Sequence, residues 1–149
     1  VPLTPDPQIK QMSLFSNPYV CVIREDNPLV SDDLDLDTYL NLKHIHISSR
    51  RGGLGHVDLA LGKMGKKREI ILRTQNHLMI HQMALTTDFA ITLPLIFAGA
   101  LSRTAKVRYL DLPFEVPHLE THLYWHESTD KDQANIWMRE QIASSYNNN

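Results

Sequence analysis

The chain has 149 residues, of which 42% are hydrophobic and 21% are charged, and its formal net charge is -2. These values describe a soluble, well-packed globule of one domain, or of two small lobes that share a cleft. The basic residues are scattered, which argues against nucleic-acid contact by this chain itself. We find no signal peptide and no apolar run of about 18 residues, so no membrane segment is expected. A single cysteine, Cys21, excludes an internal disulfide and favours a cytosolic origin.

The first 40 residues predict an extended region followed by a short helix. Residues 12–24 are extended, and Pro18 interrupts them or marks an edge. The apolar run around Cys21 predicts a buried structural thiol. Four aspartates between residues 31 and 37 fit a solvated helix start, because a calcium loop would need a glycine and a distal glutamate that are missing.

The segment from Lys43 to Arg73 predicts one β-α-β crossover. A half-buried strand opens it, and a glycine-rich turn follows. A helix with an apolar face at Val57, Ala60, Leu61 and Met64 comes next, before a second strand from Glu69. The turn either lets the helix pack tightly or also contacts a ligand, and both interpretations remain open.

The rest of the chain continues the alternation. A helix to about Leu85, a strand at 89–93, a helix after Pro94 and strands at 106–110 and 119–126 are predicted in that order. A final helix, capped by Asp130 or Thr129, should bury a stripe formed by Ala134, Trp137, Met138 and Ile142. The order β-α-β-α-β-α-β-α-β-β-α indicates an α/β sheet with crossovers.

Two predicted helices begin at the carboxyl ends of strands, where open α/β sheets bind ligands. Hydroxyls and flexible backbone N–H groups suit a carboxylate or another polar group there. One of these sites carries Ser48, Ser49 and Gly53, and the other carries Asn76 and His77. If the strands are neighbours, their polar groups converge on one small molecule. Helix capping alone is the competing explanation for Asn76.

Eight histidines raise the question of a metal site. His77 and His81 are four residues apart, but no glutamate follows His77 as a metalloprotease motif requires. His122 and His126 lie two pleats apart on one predicted strand. We therefore predict no metal and no other cofactor. The glycine-rich turn matches neither nucleotide-binding motif, and no glycines surround Ser48 or Ser49 as a nucleophile elbow would need. No enzymatic function is predicted.

Four segments resemble the effector-binding domain of LysR-type transcriptional regulators. They are residues 14–29, the Gly-His-Val-Asp-x-x-Leu-x-x-x-Gly-x-x-Arg pattern within 44–73, the Asp-Phe-Ala-Ile-Thr-Leu-Pro segment within 87–94, and the Trp-His to Trp-Met-Arg ending within 124–139. The last segment resembles the ending that is typical of the branch containing the nodulation and aromatic-catabolism activators. Together the matches cover nearly the whole chain in order.

The resemblance implies a fold like type 2 periplasmic binding proteins, with two lobes and an effector in the cleft between them. Residues 20–112 would form the second lobe, and 1–19 with 113–149 part of an incomplete first lobe. Six residues would face the cleft: Ser48, Ser49, Gly53, Asn76, His77 and Pro94.

The resemblance also implies a cytoplasmic sensor fragment that acts on DNA only through a helix-turn-helix domain absent from this chain. The effector is expected to be aromatic or carboxylated, and self-association into a homo-oligomer is expected, with the helix at 57–64 as a candidate contact. Two alternatives stay open from the residues: a solute-binding protein of a transport system with the same architecture, and a histidine-metal enzyme.

Overall fold

A computed structural model describes residues 6–48, 54–76 and 78–147. The strands are β1 (Ile9–Asn17), β2 (Tyr19–Arg24), β3 (Lys43–Ile47), β4 (Glu69–Thr74), β5 (Ala90–Pro94), β6 (Val107–Asp111) and β7 (Leu119–His126). The helices are α1 (Leu36–Asn41), α2 (His56–Lys63), α3 (Leu78–Thr86), α4 (Leu95–Ser102) and α5 (Gln133–Asn147), with a 3-10 turn at Glu127–Thr129. This is the predicted order, with Pro18 dividing the first extended region into β1 and β2.

The chain divides into two compact units, residues 17–118 and residues 1–16 with 119–149. The larger unit contains a five-stranded sheet in the order β4-β3-β5-β2-β6. β3 is parallel to both β4 and β5, whereas β2 is antiparallel to β5 and β6. The carboxyl ends of β3, β4 and β5 therefore share one edge of the sheet. Tyr19, which opens β2, pairs with Pro94 at this same edge.

Helices cover both faces of this sheet, and the alternation along β2 shows which residues face which side. Val20 and Val22 belong to a core cluster that includes Ile80 of α3 and Ala98 of α4. Cys21, fully buried as predicted, belongs to a second cluster. That cluster also contains Tyr39 of α1 with Val57 and Leu61 of α2.

Glycines fix both ends of α2. Gly55 is its N-cap residue, and a Cβ there would lie 3.0 Å from Cε1 of His46, so the absent side chain lets the helix pack tightly against β3. At the other end Gly65 has a φ of 66°. The N–H of Lys66 donates to the Leu61 carbonyl and that of Gly65 to the Gly62 carbonyl, the pattern of a Schellman motif.

The smaller unit pairs β1 with β7 and carries α5. Two side chains of its carboxyl-terminal half meet: the Arg139 guanidinium lies 4.6 Å from the centre of the Trp125 ring, and Nε1 of Trp125 donates to Asp130 at 2.8 Å. A cation over an aromatic face is attractive, and this contact holds Arg139 of α5 against β7.

The structure corrects the predicted cap of α5. Asp132 caps the helix, because its Oδ1 accepts the Asn135 N–H at 2.9 Å. Thr129 instead lies in the preceding 3-10 turn and Asp130 follows that turn. The carboxylate of Asp130 is occupied by Trp125 and Lys10.

The predicted buried stripe of α5 is also wrong for most of its members. Trp137 and Met138 are 57% and 51% exposed, and Ala134 is exposed. Ile142 is half-buried, together with Ile136. Arg139, a residue that the apolar pattern ignores, lies on this inward face, where it packs on Trp125 and donates to the carbonyls of Thr129 and Asp130.

Candidate functional site

The carboxyl ends of β3 and β4 bring two of the predicted site residues together at Thr74. The N–H of Ser48 donates to the Thr74 carbonyl at 3.1 Å, and the N–H of Asn76 donates to Oγ1 of Thr74 at 3.0 Å. Pro94 ends β5 at the same edge and is the N-cap residue of α4. Three other predicted site residues, Ser49, Gly53 and His77, lie outside the described residues.

A cavity of about 420 Å³ opens at this edge, within the larger unit. It is bounded by the ends of β2, β3 and β5 and by α3 and α4; its described lining residues are Tyr19, Ile47, Ile80, Thr92, Leu93, Pro94, Phe97, Ala100, Leu101 and Thr104. Of the predicted site residues that the structure describes, only Pro94 lines it. The volume lies in the range of about 300–1,000 Å³ that is typical of small-molecule sites.

The cavity wall is apolar with a few hydroxyl groups. Aliphatic and aromatic side chains form most of it, and the polar side chains among the described lining residues are those of Tyr19, Thr92 and Thr104. Such a wall suits a molecule with an apolar body and a small number of hydrogen-bonding groups. None of the described lining residues is charged.

Tyr19 connects this cavity with the start of α2. Its hydroxyl lies 3.3 Å from Nδ1 of His56, and the two rings meet edge to face with centres 5.9 Å apart. Burial raises the pKa of the Tyr19 phenol, so the group stays protonated at neutral pH. Tyr19 and His56 also line a wider groove of about 960 Å³ between α2 and residues 111–118.

A buried ion pair lies under the sheet, on the side of α1 and α2. Arg68 precedes β4 and is 3% exposed. Its Nε donates to Oδ1 of Asp58 at 2.8 Å and its Nη2 donates to Oδ2 at 3.2 Å. Nη2 also lies 3.4 Å from Nδ1 of His46. This two-point contact ties the first turn of α2 to the strand that follows it.

The other end of the same guanidinium reaches two hydroxyls. Nη1 of Arg68 lies 3.3 Å from the Tyr39 hydroxyl and 3.4 Å from Oγ1 of Thr92. The two oxygens are 2.8 Å apart. Thr92 therefore belongs both to this buried network and to the cavity wall.

The electrostatics of the network follow from burial and pairing. Burial alone would raise the pKa of the Asp58 carboxyl, but its hydrogen bonds and charge attraction with Arg68 outweigh that effect and hold the pKa below its usual value. Burial raises the pKa of Tyr39 to about 12, although Arg68 and Thr92 oppose it. At neutral pH the network is an ionised pair with a protonated phenol beside it.

The sequence missed these residues for different reasons. Arg68 and Asp58 stood in the motif that carries the resemblance, which was the available signal for them, but their pairing was not predicted. Tyr39 was not predicted as a site residue, and Thr92 was predicted only as part of a strand. Nothing in their spacing indicates that they meet.

Among the described residues, no group of three or more His, Cys, Asp or Glu side chains is placed to hold a metal ion.

Comparison with known proteins decides the family. A sequence profile of the LysR substrate binding domain matches residues 1–146. The chain belongs to this family. It is 28% identical over 130 residues to the transcriptional activator NahR of Pseudomonas putida, covering 87% of this chain and 43% of NahR. It is 29% identical over 135 residues to nodulation protein D 1 of Rhizobium leguminosarum bv. phaseoli, covering 89% of this chain and 43% of that protein.

The fold agrees with this family. The regulatory domain of MexT, a transcriptional activator in Pseudomonas aeruginosa, superposes with a TM-score of 0.80 at 28% identity, over 93% of this chain and 68% of that one. The α/β architecture is therefore that of LysR-family substrate-binding domains, which resemble type 2 periplasmic binding proteins. These relatives are regulators, so the transport alternative is not favoured.

This LysR-family chain spans less than half of the length of the curated relatives it matches, 43% of each. Among its described residues, no helix combines the length and the apolar character needed to cross a membrane.

Proposed function

We propose that this chain is the effector-sensing region of a LysR-type transcriptional regulator and that it binds a small aromatic or carboxylated molecule. The observation that carries the proposal is the cavity at the carboxyl edge of β3 and β5, where a largely apolar wall includes three hydroxyl-bearing residues. Its edge position is where ligands bind in open α/β sheets. Sensing requires binding, not chemical conversion, so we infer no catalytic residue.

We further propose that the polar groups beside this cavity contact the effector. Ser48 and Asn76 share Thr74 as a hydrogen-bond partner at the neighbouring strand ends. Pro94 lines the cavity itself. Ser49, Gly53 and His77 remain predictions, since they lie outside the described residues, as does the prediction that the effector sits between two lobes.

Signalling then follows from differential affinity. An effector that binds one conformation of the sensor better than another shifts the balance between them, and that shift is passed to a DNA-binding domain elsewhere in the regulator. Because the relatives act on transcription, we propose that the protein works in the cytoplasm and as a homo-oligomer. The division into a second lobe of residues 20–112 and a partial first lobe of residues 1–19 and 113–149 remains part of this proposal.

The proposal is tested by titrating benzoate and 4-hydroxybenzoate into the purified protein, with heat of binding as the readout. Phe97 lines the cavity and is 56% exposed, so Phe97→Ala should leave the fold intact and weaken binding by about tenfold. Asn76→Ala should weaken it as well.

Leu59→Ala is the matched control. Leu59 is also apolar and 49% exposed, but it lines the groove beside α2 and not the cavity. Its loss should leave affinity unchanged. Equal weakening by Phe97→Ala and Leu59→Ala, or no binding of either acid by the parent protein, would contradict the proposed site.

A further inference from the structure

We propose that Asn17 is a positioning residue for the effector: its side chain caps α4 and so holds in place the helix face that forms one wall of the cavity. This inference rests on the proposed function, because it requires the cavity to hold an effector. It also goes further, since Asn17 is the residue at which the chain enters the larger of the two compact units.

One face of α4 forms a wall of the cavity. Phe97, Ala100 and Leu101 line the cavity and are spaced at i, i+3 and i+4, positions that lie on the same side of a helix. Phe97 belongs to the first turn of α4, and its neighbour Ala98 is fully buried in the core cluster on the α3 and α4 side of the sheet. The position of the Phe97 ring therefore depends on whether this first turn is formed.

The residue before α4 cannot cap the helix with its own side chain. The first amides of a helix have no partner within it, and here the N-cap residue is Pro94, whose side chain makes no capping hydrogen bond. A segment far earlier in the chain supplies the acceptors. The N–H of Leu95 donates to the Pro18 carbonyl at 2.9 Å, and the N–H of Ile96 donates to Oδ1 of Asn17 at 2.8 Å.

Strand pairing brings these two segments together. β2 is antiparallel to β5, and Tyr19, the first residue of β2, pairs with Pro94, the last residue of β5. The residues that precede β2 therefore lie beside those that follow β5, and the latter open α4. Ile96 is the second residue of this helix, and the second amide is one that the side chain of an ordinary N-cap residue binds. Asn17 supplies the same contact from a neighbouring strand.

Asn17 lies where the chain passes from one compact unit to the other. Ser16 ends the first segment of the smaller unit, and Asn17 begins the larger unit. The cap thus attaches this crossing point to the helix that walls the cavity. An effector that packs on Phe97 favours the formed first turn of α4, and by linkage it favours the contact with Asn17 as well. Occupancy of the cavity is in this way felt at the crossing point.

The competing explanation is that Asn17 only stabilises the fold, and Asp35 provides a matched control for it. Asp35 is the N-cap residue of α1, and its Oδ1 accepts the N–H of Thr38 at 2.7 Å. α1 contributes Tyr39 to the second core cluster, and the described lining residues of the cavity include none from α1. Asp35→Ala should therefore cost stability, as Asn17→Ala does, but leave effector affinity unchanged.

The experiment is a calorimetric titration of benzoate, and of its uncharged analogue benzamide, into the parent protein and three variants. We expect Asn17→Ala to weaken both probes by about fivefold, because a frayed first turn lowers the fraction of protein with Phe97 in place. Asn17→Asp restores the acceptor, so its affinity for benzamide should stay within about twofold of the parent. Asp35→Ala should stay within about twofold for both probes.

Amide hydrogen exchange gives a second readout, which needs no variant. In the parent protein, saturating benzoate should slow exchange at Leu95 and Ile96, the two amides bound by the earlier segment. In Asn17→Ala the Ile96 amide should exchange faster than in the parent, whereas the Thr38 amide should not change. Asp35→Ala should show the reverse pattern.

The outcomes distinguish this inference from the proposed function. If the parent binds the probes and Asn17→Ala binds them equally well, the role of Asn17 is overturned and the cavity stands. Equal weakening by Asn17→Ala and Asp35→Ala, loss of benzamide binding in Asn17→Asp, or unchanged exchange of the Ile96 amide on benzoate binding overturns it too. If the parent binds neither probe, both proposals fall.

Discussion

Arg68 and Asp58 form a two-point ion pair inside the protein, with Nε 2.8 Å from Oδ1 and Nη2 3.2 Å from Oδ2. Their side chains are 2% and 9% exposed. The pair joins the first turn of α2 to the residue before β4. Nη1 of Arg68 also lies 3.4 Å from Oγ1 of Thr92, a residue that lines the cavity. Arg68 thus contacts both a residue of α2, Asp58, and a residue of the candidate site, Thr92.

We expect Asp58→Ala to destabilise the fold by about 3–5 kcal/mol, because it leaves the Arg68 charge buried without its counter-ion. Urea denaturation measures the free energy of unfolding. Asp26→Ala is the control: Asp26 also lies 2.8 Å from an arginine, Arg24, but its side chain is 79% exposed, so the loss should stay below about 1 kcal/mol. Similar losses of unfolding free energy in the two variants would contradict the expectation that the buried pair contributes more to stability than the exposed one.

Two glycines of one helix end should respond in opposite directions. A Cβ on Gly62 meets nothing within 4 Å, so Gly62→Ala should stabilise the protein by about 0.5–1 kcal/mol through helix propensity. Gly65 has a φ of 66°, where Gly65→Ala should cost about 1–2 kcal/mol. Thermal unfolding of both variants shows whether each change stabilises or destabilises the protein. A stabilising Gly65→Ala would contradict the left-handed backbone conformation of Gly65.

Stability should fall in mild acid because of His44. This side chain is fully buried, its Nε2 lies 2.8 Å from the Tyr39 carbonyl, and burial lowers its pKa from 6.5 to about 4. Between those two pH values the unfolded chain binds the proton and the folded chain does not. Acidification through this window therefore favours unfolding, by about 3 kcal/mol once pH 4 is reached.

The measurement is the free energy of unfolding against pH for the parent and for His44→Leu. The variant should be less stable at pH 7, since it loses the hydrogen bond to the Tyr39 carbonyl. Its free energy of unfolding should, however, change less between pH 6.5 and 4 than that of the parent. Burial lowers the pKa of His46 as well, so some slope remains.

The thiol of Cys21 should be inert in the folded protein. It is fully buried in the sheet, and burial raises its pKa to about 12, far above neutral pH. An aromatic disulfide reagent reacts with thiolate, so labelling at pH 7.5 should proceed only as fast as the protein opens. Rapid, stoichiometric labelling in the absence of urea would contradict this placement, and labelling in urea provides the control.

Most of the fold was predictable because its signals are local. Period-two and period-3.6 patterns, together with glycines and prolines, predicted the strands and helices in the observed order. The rotation of α5 was not predictable, since the inward position of Arg139 involves contacts with other elements: the Trp125 ring and the carbonyls of Thr129 and Asp130. An apolar pattern cannot register a cation that packs on an aromatic ring.

The candidate site divides in the same way. The sequence by itself determined that polar residues such as Ser48 and Asn76 follow two strands, because local residue types indicate where strands end and helices begin. Only the tertiary structure decided that Tyr39, Arg68 and Thr92 meet. They come from a helix, a loop and a strand far apart in the chain. Hydrogen bonds between such groups depend on sheet order and side-chain direction, which no spacing along the chain encodes.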